Sequence, residues 1–396
     1  MSQTSRNGFA DLLHNRNAMI FFVGQSLSLI GDGVLSIAVG IWVKMLTDSS
    51  ALAGLSFFFV AAPAIFAPIL GVLVDRFRRK PLLIAINCVA AVTVLVLLAV
   101  DTRAQLWLIF STLFVAGVVG FIQSAGLAAF VPLLVDQASL GHANTVFVFL
   151  RNAARLIGPS LGAILFALVG MRVVIIADST SFVVAGVCIA SIRVVEVRSA
   201  RIGRTREAIA VGFRFLRTQR ELRDVITALA LGFAAIGLVE ATSYMIVSVL
   251  GYSPEYVAVL TTAQALGALA IAVFIPPLLL RIGETHAVVI GLVICAVGGV
   301  ALGVPILPSA VLGSIILGGG VTVLAISSNT YLQRHTPPEL LGRIDSVASA
   351  ALTLPYTVFI GLGAGLVAFV SIPVLLSMMS LFMLCASFWL YRRQCD

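Results

Sequence analysis

Gly71-Val72-Leu73-Val74-Asp75-Arg76-Phe77-Arg78-Arg79-Lys80-Pro81 sets four cations and one carboxylate between two long apolar runs. A positive cluster at the end of a membrane span stays on the side of synthesis, so this loop is expected to be cytoplasmic and to orient the runs beside it. The composition around it agrees. Hydrophobic residues make up 60% of the 396 and charged residues only 11%, whereas soluble chains carry about 25% charge. A soluble globule is excluded, and the expected class is an all-α polytopic membrane protein. Residues 1 to 17 hold Arg6, Asp11, His14 and Arg16 and no apolar core, so the first span is expected to be retained rather than cleaved as a signal peptide.

The net charge of +8 comes from 25 cations, of which only Lys44 and Lys80 are lysines. Most lie in alternate loops, as the positive-inside rule requires, so the basic balance points to a lipid bilayer and not to nucleic acid. Cys88, Cys188, Cys295, Cys385 and Cys395 fall inside spans or at the C-terminus with no metal spacing, and no metal or cofactor is expected.

Apolar runs predict helices near 18–46, 52–74, 82–100, 105–134, 143–168, 172–192, 225–250, 256–280, 286–306, 309–332, 340–369 and 372–391. That is a twelve-span chain with both termini on the cytoplasmic side. Arg281, Arg334, Arg343, Arg392 and Arg393 then lie inside, and only Arg103 and Arg172 fall in the opposite breaks. The longest connection, 193–224, has nine Arg and four acids. It reads as a cytoplasmic Arg-rich linker with an interfacial helix around Val211 to Arg217 on anionic lipid, between an N-terminal bundle at 1–192 and a C-terminal bundle at 225–396. Leu140-Gly141-His142-Ala143-Asn144-Thr145-Val146 echoes Leu341-Gly342-Arg343-Ile344-Asp345-Ser346-Val347 at the entrance to spans 5 and 11. Two pseudo-symmetric six-helix bundles are expected, with a site near the midplane between them.

Over nearly its whole length the chain resembles the major facilitator superfamily. Gly71, Leu73, Asp75, Arg76, Arg79 and Lys80 stand where that superfamily carries Gly-x-Leu-Ala-Asp-Arg-x-Gly-Arg-Lys, with Val74 and Arg78 in place of Ala and Gly. Gly158-Pro159-Ser160-Leu161-Gly162 in span 5 is similar to the tail of the exporters' antiporter motif, although Thr145 and Ala154 occupy the places of its upstream glycines. Within the superfamily the chain looks most like bacterial siderophore exporters and macrolide or multidrug efflux proteins, through Gln333 to Ile344 and Leu12 to Asn15. Gly31-Asp32 in span 1 also resembles bacterial lysophospholipid transporters.

Charges at the centre of a span cost at least ~2.5–3.5 kcal/mol each, so those retained there are candidates for function. They are Asp32, Arg151, Arg155, Asp178 and Glu240. At 1.5 Å per residue, Asp32 lies roughly 21 Å from the inner end of span 1 and Glu240 roughly 22 Å from that of span 7. The resemblance implies that both helices line a central cavity. Gln25, Ser28, Asp32 and Ser36 share one helical face, and Glu240, Tyr244 and Ser248 share another, as expected of wet cavity linings. A carboxylate in such a place suits proton uptake and release, and equally suits pairing with a neighbouring arginine. Arg151 and Arg155 share a face of span 5 and need acids, carbonyls or water. Arg155 is the candidate partner of Asp32 or of an anionic cargo group, and the candidate substitute for the span 4 arginine of the family's antiporters, since Phe110 to Gln123 contains no cation. Asp178, only about 9 Å from the outer end of span 6, reads as structural or interfacial.

Gly158-Pro159 is expected to kink span 5 or to seat it against the glycines of span 11, Gly361, Gly363 and Gly365. Asp75, with Arg76 and Arg79, suits a latch at the cytoplasmic face. The corresponding place in the second half, Pro276 to Arg281, lacks the acid.

These features point to a proton-coupled exporter of amphipathic drugs or secondary metabolites, most simply a monomer in the cytoplasmic membrane; a siderophore exporter or a lysophospholipid transporter is the alternative. Phe57, Phe58, Phe59, Phe121 and Tyr244 suit a polyspecific cavity and equally suit lipid contact or helix packing. An enzyme is not expected. No second Asp motif matches Gly31-Asp32 at the same depth, no paired His and Ser arrangement is visible, and no Walker sequence is present.

Overall fold

The computed structural model describes residues 15–66, 70, 74, 77–136, 139–194, 205–337 and 340–395. All regular structure among them is helical. Thirteen α-helices run in chain order: α1 Arg16–Thr47, α2 Ser50–Ala61, α3 Arg79–Leu95, α4 Leu106–Phe130, α5 Leu140–Ser191, α6 Thr205–Thr218, α7 Arg220–Val249, α8 Val257–Ala272, α9 Ile275–Ile282, α10 Glu284–Leu302, α11 Leu307–His335, α12 Leu341–Leu366 and α13 Ile372–Cys395. Ten stretches of these are long and apolar enough to cross a membrane. Large apolar side chains lie bare on their outer faces, among them Val92, Trp107, Leu168, Val187 and Met378. A chain in water would bury them; in hydrocarbon they face a solvent as apolar as themselves.

Several element ends differ from the sequence expectation, each for a local reason. Predicted spans 5 and 6 form the single 52-residue α5, broken only at Gly170, whose φ of 76° and ψ of 171° lie outside the helical region. A residue with a Cβ is strained at that φ, so glycine turns the chain there. Predicted span 8 divides into α8 and α9, because Pro276 and Pro277 occupy the first turn of α9, where a missing N–H costs nothing. Part of the predicted linker joins α7, which starts at Arg220 with Glu221 in its first turn. Asp224, buried, takes Arg220 at 4.0 Å and Arg223 at 3.4 Å. The two echoing heptapeptides open α5 and α12, each at its leucine.

Contacts divide the chain into two compact units, Met1–Trp42 with Phe66–Ile202, and Val43–Ile65 with Gly203–Asp396. In the first, α3 packs on α4 and α5, and Phe21 of α1 meets Phe130 of α4 at 5.8 Å and Phe147 of α5 at 6.4 Å between ring centroids. Polar side chains tie the loop ends together. Asn15 caps α1 by accepting from the Ala18 amide at 3.1 Å while its own amide donates to the Leu134 carbonyl at 2.8 Å. Asn17 donates to the Arg193 carbonyl, and Lys80 donates to those of Ala190 and Ile192 at 2.9 and 2.8 Å. Lys80 thus places a cation on the carbonyl end of α5, where the helix dipole favours one.

In the second unit α10 packs on α11, α8 on α11, and α12 on α7. Glycines bring these backbones together. A Cβ at Gly267 would collide with the Ile315 carbonyl oxygen, one at Gly318 with that of Gln264, and one at Gly237 with that of Tyr356. Glu284, buried at the start of α10, is held by Arg334 in the last turn of α11.

Gly267→Val and Gly318→Val are expected to lower stability by about 1–3 kcal/mol through overpacking, read as a fall in the unfolding temperature of purified protein. Gly120→Ala, with open space around its Cβ position, should leave it unchanged. Arg334→Ala is expected to cost about 1–3 kcal/mol by leaving Glu284 without its cation, and adding Glu284→Gln should recover part of the loss.

Candidate functional site

The charges singled out from the sequence occupy positions set by the packing of α1 and α5 in the first unit and of α7 and α12 in the second. Glycine decides the first contact. Gly158 of α5 meets Gly33 of α1 so closely that a Cβ at Gly158 would lie 2.9 Å from the Gly33 Cα, and a Cβ at Gly162 would lie 3.0 Å from the Val34 Cα. The Gly158–Gly162 segment therefore makes a seam with α1 inside its own unit. Within the second unit Gly361 lies against Phe58, and Gly363 against Leu238 and Ala241. Pro159 itself keeps helical φ/ψ, and the only non-helical residue in α5 is Gly170. Helical geometry is kept on both sides of the proline, which removes only the amide hydrogen bond to the Arg155 carbonyl.

Along α1 the polar stripe is split. Gln25 and Ser28 are each 1% exposed, and Gln25 Nε2 and Ser28 Oγ have no hydrogen-bond partner among the described residues. Asp32 and Ser36, one and two turns further on, are exposed, and Ser36 Oγ donates to the Gly33 carbonyl at 3.0 Å. The expectation that all four line a wet surface thus fails for Gln25 and Ser28. Gly24, Ser28 and Gly31 fall on the side of α1 that packs against the second arm of α5, where Gly24 meets Cys188 and Ala185.

Arg151 and Arg155 are exposed on α5. Arg151 stacks over the Phe147 ring, 5.1 Å from its centroid. Neither arginine forms an ion pair with a described residue of its own unit, so the expected Asp32–Arg155 pair is not made. Asp178 is the residue that the sequence reading passed over. It is 1% exposed and faces Gly31: a Cβ on Gly31 would collide with Asp178 Oδ1 and lie 2.7 Å from Ser181 Oγ. Counting from the other end of its helix would have found it. Asp178 is about 20 Å from Ser191 and Gly31 about 22 Å from Arg16, at 1.5 Å per residue.

In the second unit Glu240 is half-buried on α7, beside Ala241, which packs against Gly54 of α2. Tyr244, expected on a cavity wall, is 1% exposed and stacked on Phe57, with centroids 6.0 Å apart. Phe57 in turn packs on a cluster in which Ala241, Ile360 and Ala364 also meet Phe58 and Tyr356. The Tyr244 ring is better paid for by apolar burial than by water.

In the opening loop Gly71, Asp75 and Arg76 lie outside the described residues. Val74 is buried, Arg79 donates to the Phe77 carbonyl at 3.3 Å, and Lys80 makes the two carbonyl bonds given above. Among the described residues no three His, Cys, Asp or Glu side chains converge as a metal would need.

Efflux proteins are among the known proteins with similar sequences. Macrolide efflux protein A of Streptococcus pyogenes is 27% identical over 176 residues, 44% of each chain. The multi-drug resistance efflux pump PmrA of Streptococcus pneumoniae is 30% identical over 39% of this chain and 38% of its own. The enterobactin exporter EntS of Shigella boydii is 27% identical over 38% and 37%. These matches span less than half the length of each relative. Solved structures extend the likeness to the whole fold. The POT family transporter PepTSo superposes with a TM-score of 0.76 over 96% of this chain and 98% of its own at 12% identity. A bacterial homologue of the iron transporter ferroportin gives 0.72 over 95% and 98% at 15% identity. Relatives and structural neighbours alike are transporters rather than enzymes. The sequence pattern of the Major Facilitator Superfamily itself matches residues 21–354, and this multi-pass membrane protein belongs to that superfamily.

Proposed function

We propose that the protein is a secondary active exporter that moves amphipathic drugs or secondary metabolites by alternating access, in exchange for protons. The observation that carries this reading is Asp32, a carboxylate exposed midway along an apolar 32-residue helix in a chain whose relatives include efflux proteins. A charge kept there against a cost of at least ~2.5 kcal/mol must interact with something that comes and goes. Protons and cargo both do. Glu240, at similar depth on α7, is the second candidate acid, while the bare face of Arg151 and Arg155 suits an anionic group of the cargo.

The topology that goes with this function is twelve crossings in two six-helix bundles, 1–192 and 225–396, joined by 193–224. Support comes from the break at Gly170, which divides α5 into two arms that each reach across hydrocarbon, and from α2 with its 3-10 extension to Phe66. In this reading both termini lie in the cytoplasm and the chain in the cytoplasmic membrane, supported by the cation pattern of the loops. Gly71, Asp75, Arg76 and Arg79 then act as a latch on the cytoplasmic face, with Lys80 already fastened to the end of α5. A siderophore as cargo is the second reading, favoured by the likeness to an enterobactin exporter together with the exposed arginine pair.

The acidified lumen of everted vesicles from an efflux-deficient host should alkalinise on addition of cargo, with ethidium and erythromycin as trial compounds, and Asp32→Asn should abolish that proton movement. Unchanged coupling in the variant would remove Asp32 from the mechanism. Arg155→Ala should reduce export of anionic cargo roughly tenfold or more, as expected for losing ~1.5–3 kcal/mol of charged hydrogen bonding, and spare cationic cargo. Equal loss of both would end its role as an anion contact.

A further inference from the structure

Asp178 is buried in the first unit between the second arm of α5 and the face of α1 at Gly31. Neither of its carboxylate oxygens makes a well-formed hydrogen bond with a described residue, and the one polar side chain given beside it is the Ser181 hydroxyl. The hydroxyl beside it, Ser181, donates instead to the main-chain carbonyl of Asp178 at 2.7 Å. Among the described residues no cation forms an ion pair with Asp178. Arg172, near its start, pairs with exposed Asp101 at 3.0 Å, and Lys80 is spent on the carbonyls of Ala190 and Ile192 at its end. From α3, which packs on the same arm, comes Asn87, whose amide donates to the Leu83 carbonyl; the titratable groups of that helix are Arg79 and Lys80 at its start and Cys88, which is exposed. Cys188, on the Asp178 arm itself, lies against Gly24, more than two turns away. From α1 comes Asp32, next in sequence to the Gly31 that the Asp178 carboxylate faces. The arginines of the first arm of α5, Arg151 and Arg155, are exposed and make no ion pair within the unit.

An anion in such a place would have a single hydroxyl, that of Ser181, and no described cation paired with it, whereas a neutral carboxylic acid is accommodated at far lower cost. A second observation points the same way. Ser28 Oγ, 1% exposed and without a partner, lies on the Gly31 side of α1 one turn from Asp32. A buried donor and two buried acceptors have thus been left open around the one place where an acid touches the glycine beside another acid. Gly31 is what allows this approach, since any side chain there would strike the carboxylate.

We infer that Asp178 and Asp32 form a carboxyl pair that holds one proton between them, with Asp178 as its buried resting place and Asp32 as its exposed exit. On release the O–H bond of Asp178 breaks, the electron pair stays on its carboxylate, and the proton passes to Asp32 and from there to water or to the other side of the membrane. Two acids in one site cannot both ionise cheaply, so the pair takes up and gives off its protons in two separated steps. This deepens the proton-coupled export reading and rests on it for its purpose, but the proton site itself can be tested without any cargo.

The test is infrared spectroscopy of the purified full-length protein across a pH series, following the carboxylic-acid C=O band. Wild type should show a protonated carboxyl that persists at neutral pH. Asp178→Asn, which keeps the shape of the neutral acid, should remove one carboxyl's worth of that band, and Asp32→Asn should keep the band while reducing the two-step titration to one. Should Asp178→Asn not accumulate in membranes, Asp178→Ser serves with the same expectation. A folded variant at Asp178 that retains the full band overturns the inference. In everted vesicles with ethidium or erythromycin, loss of proton movement in both Asp32→Asn and Asp178→Asn supports the pair. Loss in Asp32→Asn alone overturns the pair and leaves proton-coupled export standing. The expected infrared behaviour with no cargo-driven proton movement in wild type supports the proton site and rejects the export reading.

Discussion

Hydrocarbon offers no hydrogen bonds, and from that single constraint the rest of this structure follows. Every backbone N–H and C=O within a span must be satisfied by its own helix, which is why the described chain is helical from end to end and why its apolar side chains can remain bare. It also removes the usual force that gathers helices, because lipid is as apolar as leucine. Association must come from close contact, and small residues provide it. Gly33 on Gly158, Gly267 on Ile315 and Gly318 on Gln264 are places where one backbone rests on another, with no room for a methyl group.

The same constraint sorts the polar residues into two groups. Asn15, Asn17 and Lys80 gather on main-chain carbonyls at one end of the first unit, and Glu284 meets Arg334 between the start of α10 and the end of α11. These groups have partners and serve to fasten helix ends. Asp32, Asp178, Ser28 and the Arg151–Arg155 pair lie within the spans, and none of them finishes its bonding inside its own unit. Retained polarity that is not structurally consumed is what a transporter needs, since its cargo must find unsatisfied partners and then leave them.

Much of this could be read from the chain alone. Composition excluded a soluble fold, the loop from Gly71 to Pro81 pointed to the superfamily, and depth counting along span 1 picked out Asp32. Errors arose where neighbours decide. Gln25 and Ser28 share a helical face with Asp32, yet only Asp32 and Ser36 are exposed. Tyr244 has the polar tip of a cavity residue but its ring is stacked on Phe57. Asp178 was measured from the outer end of span 6, although its depth relative to α1 depends on how far that longer helix extends beyond it.

The sequence by itself determined the membrane class, the helical content and the family, because hydropathy and charge act on each segment independently of its neighbours. It determined the charged loop from Gly71 to Pro81 in the same way. Only the tertiary structure decided which helix Gly158 rests on, that Tyr244 is core and that Asp178 stands against Gly31 beside Asp32. Those facts depend on the rotation and axial offset of one helix against another, and in lipid that choice is made by the fit of small residues, which no single segment encodes.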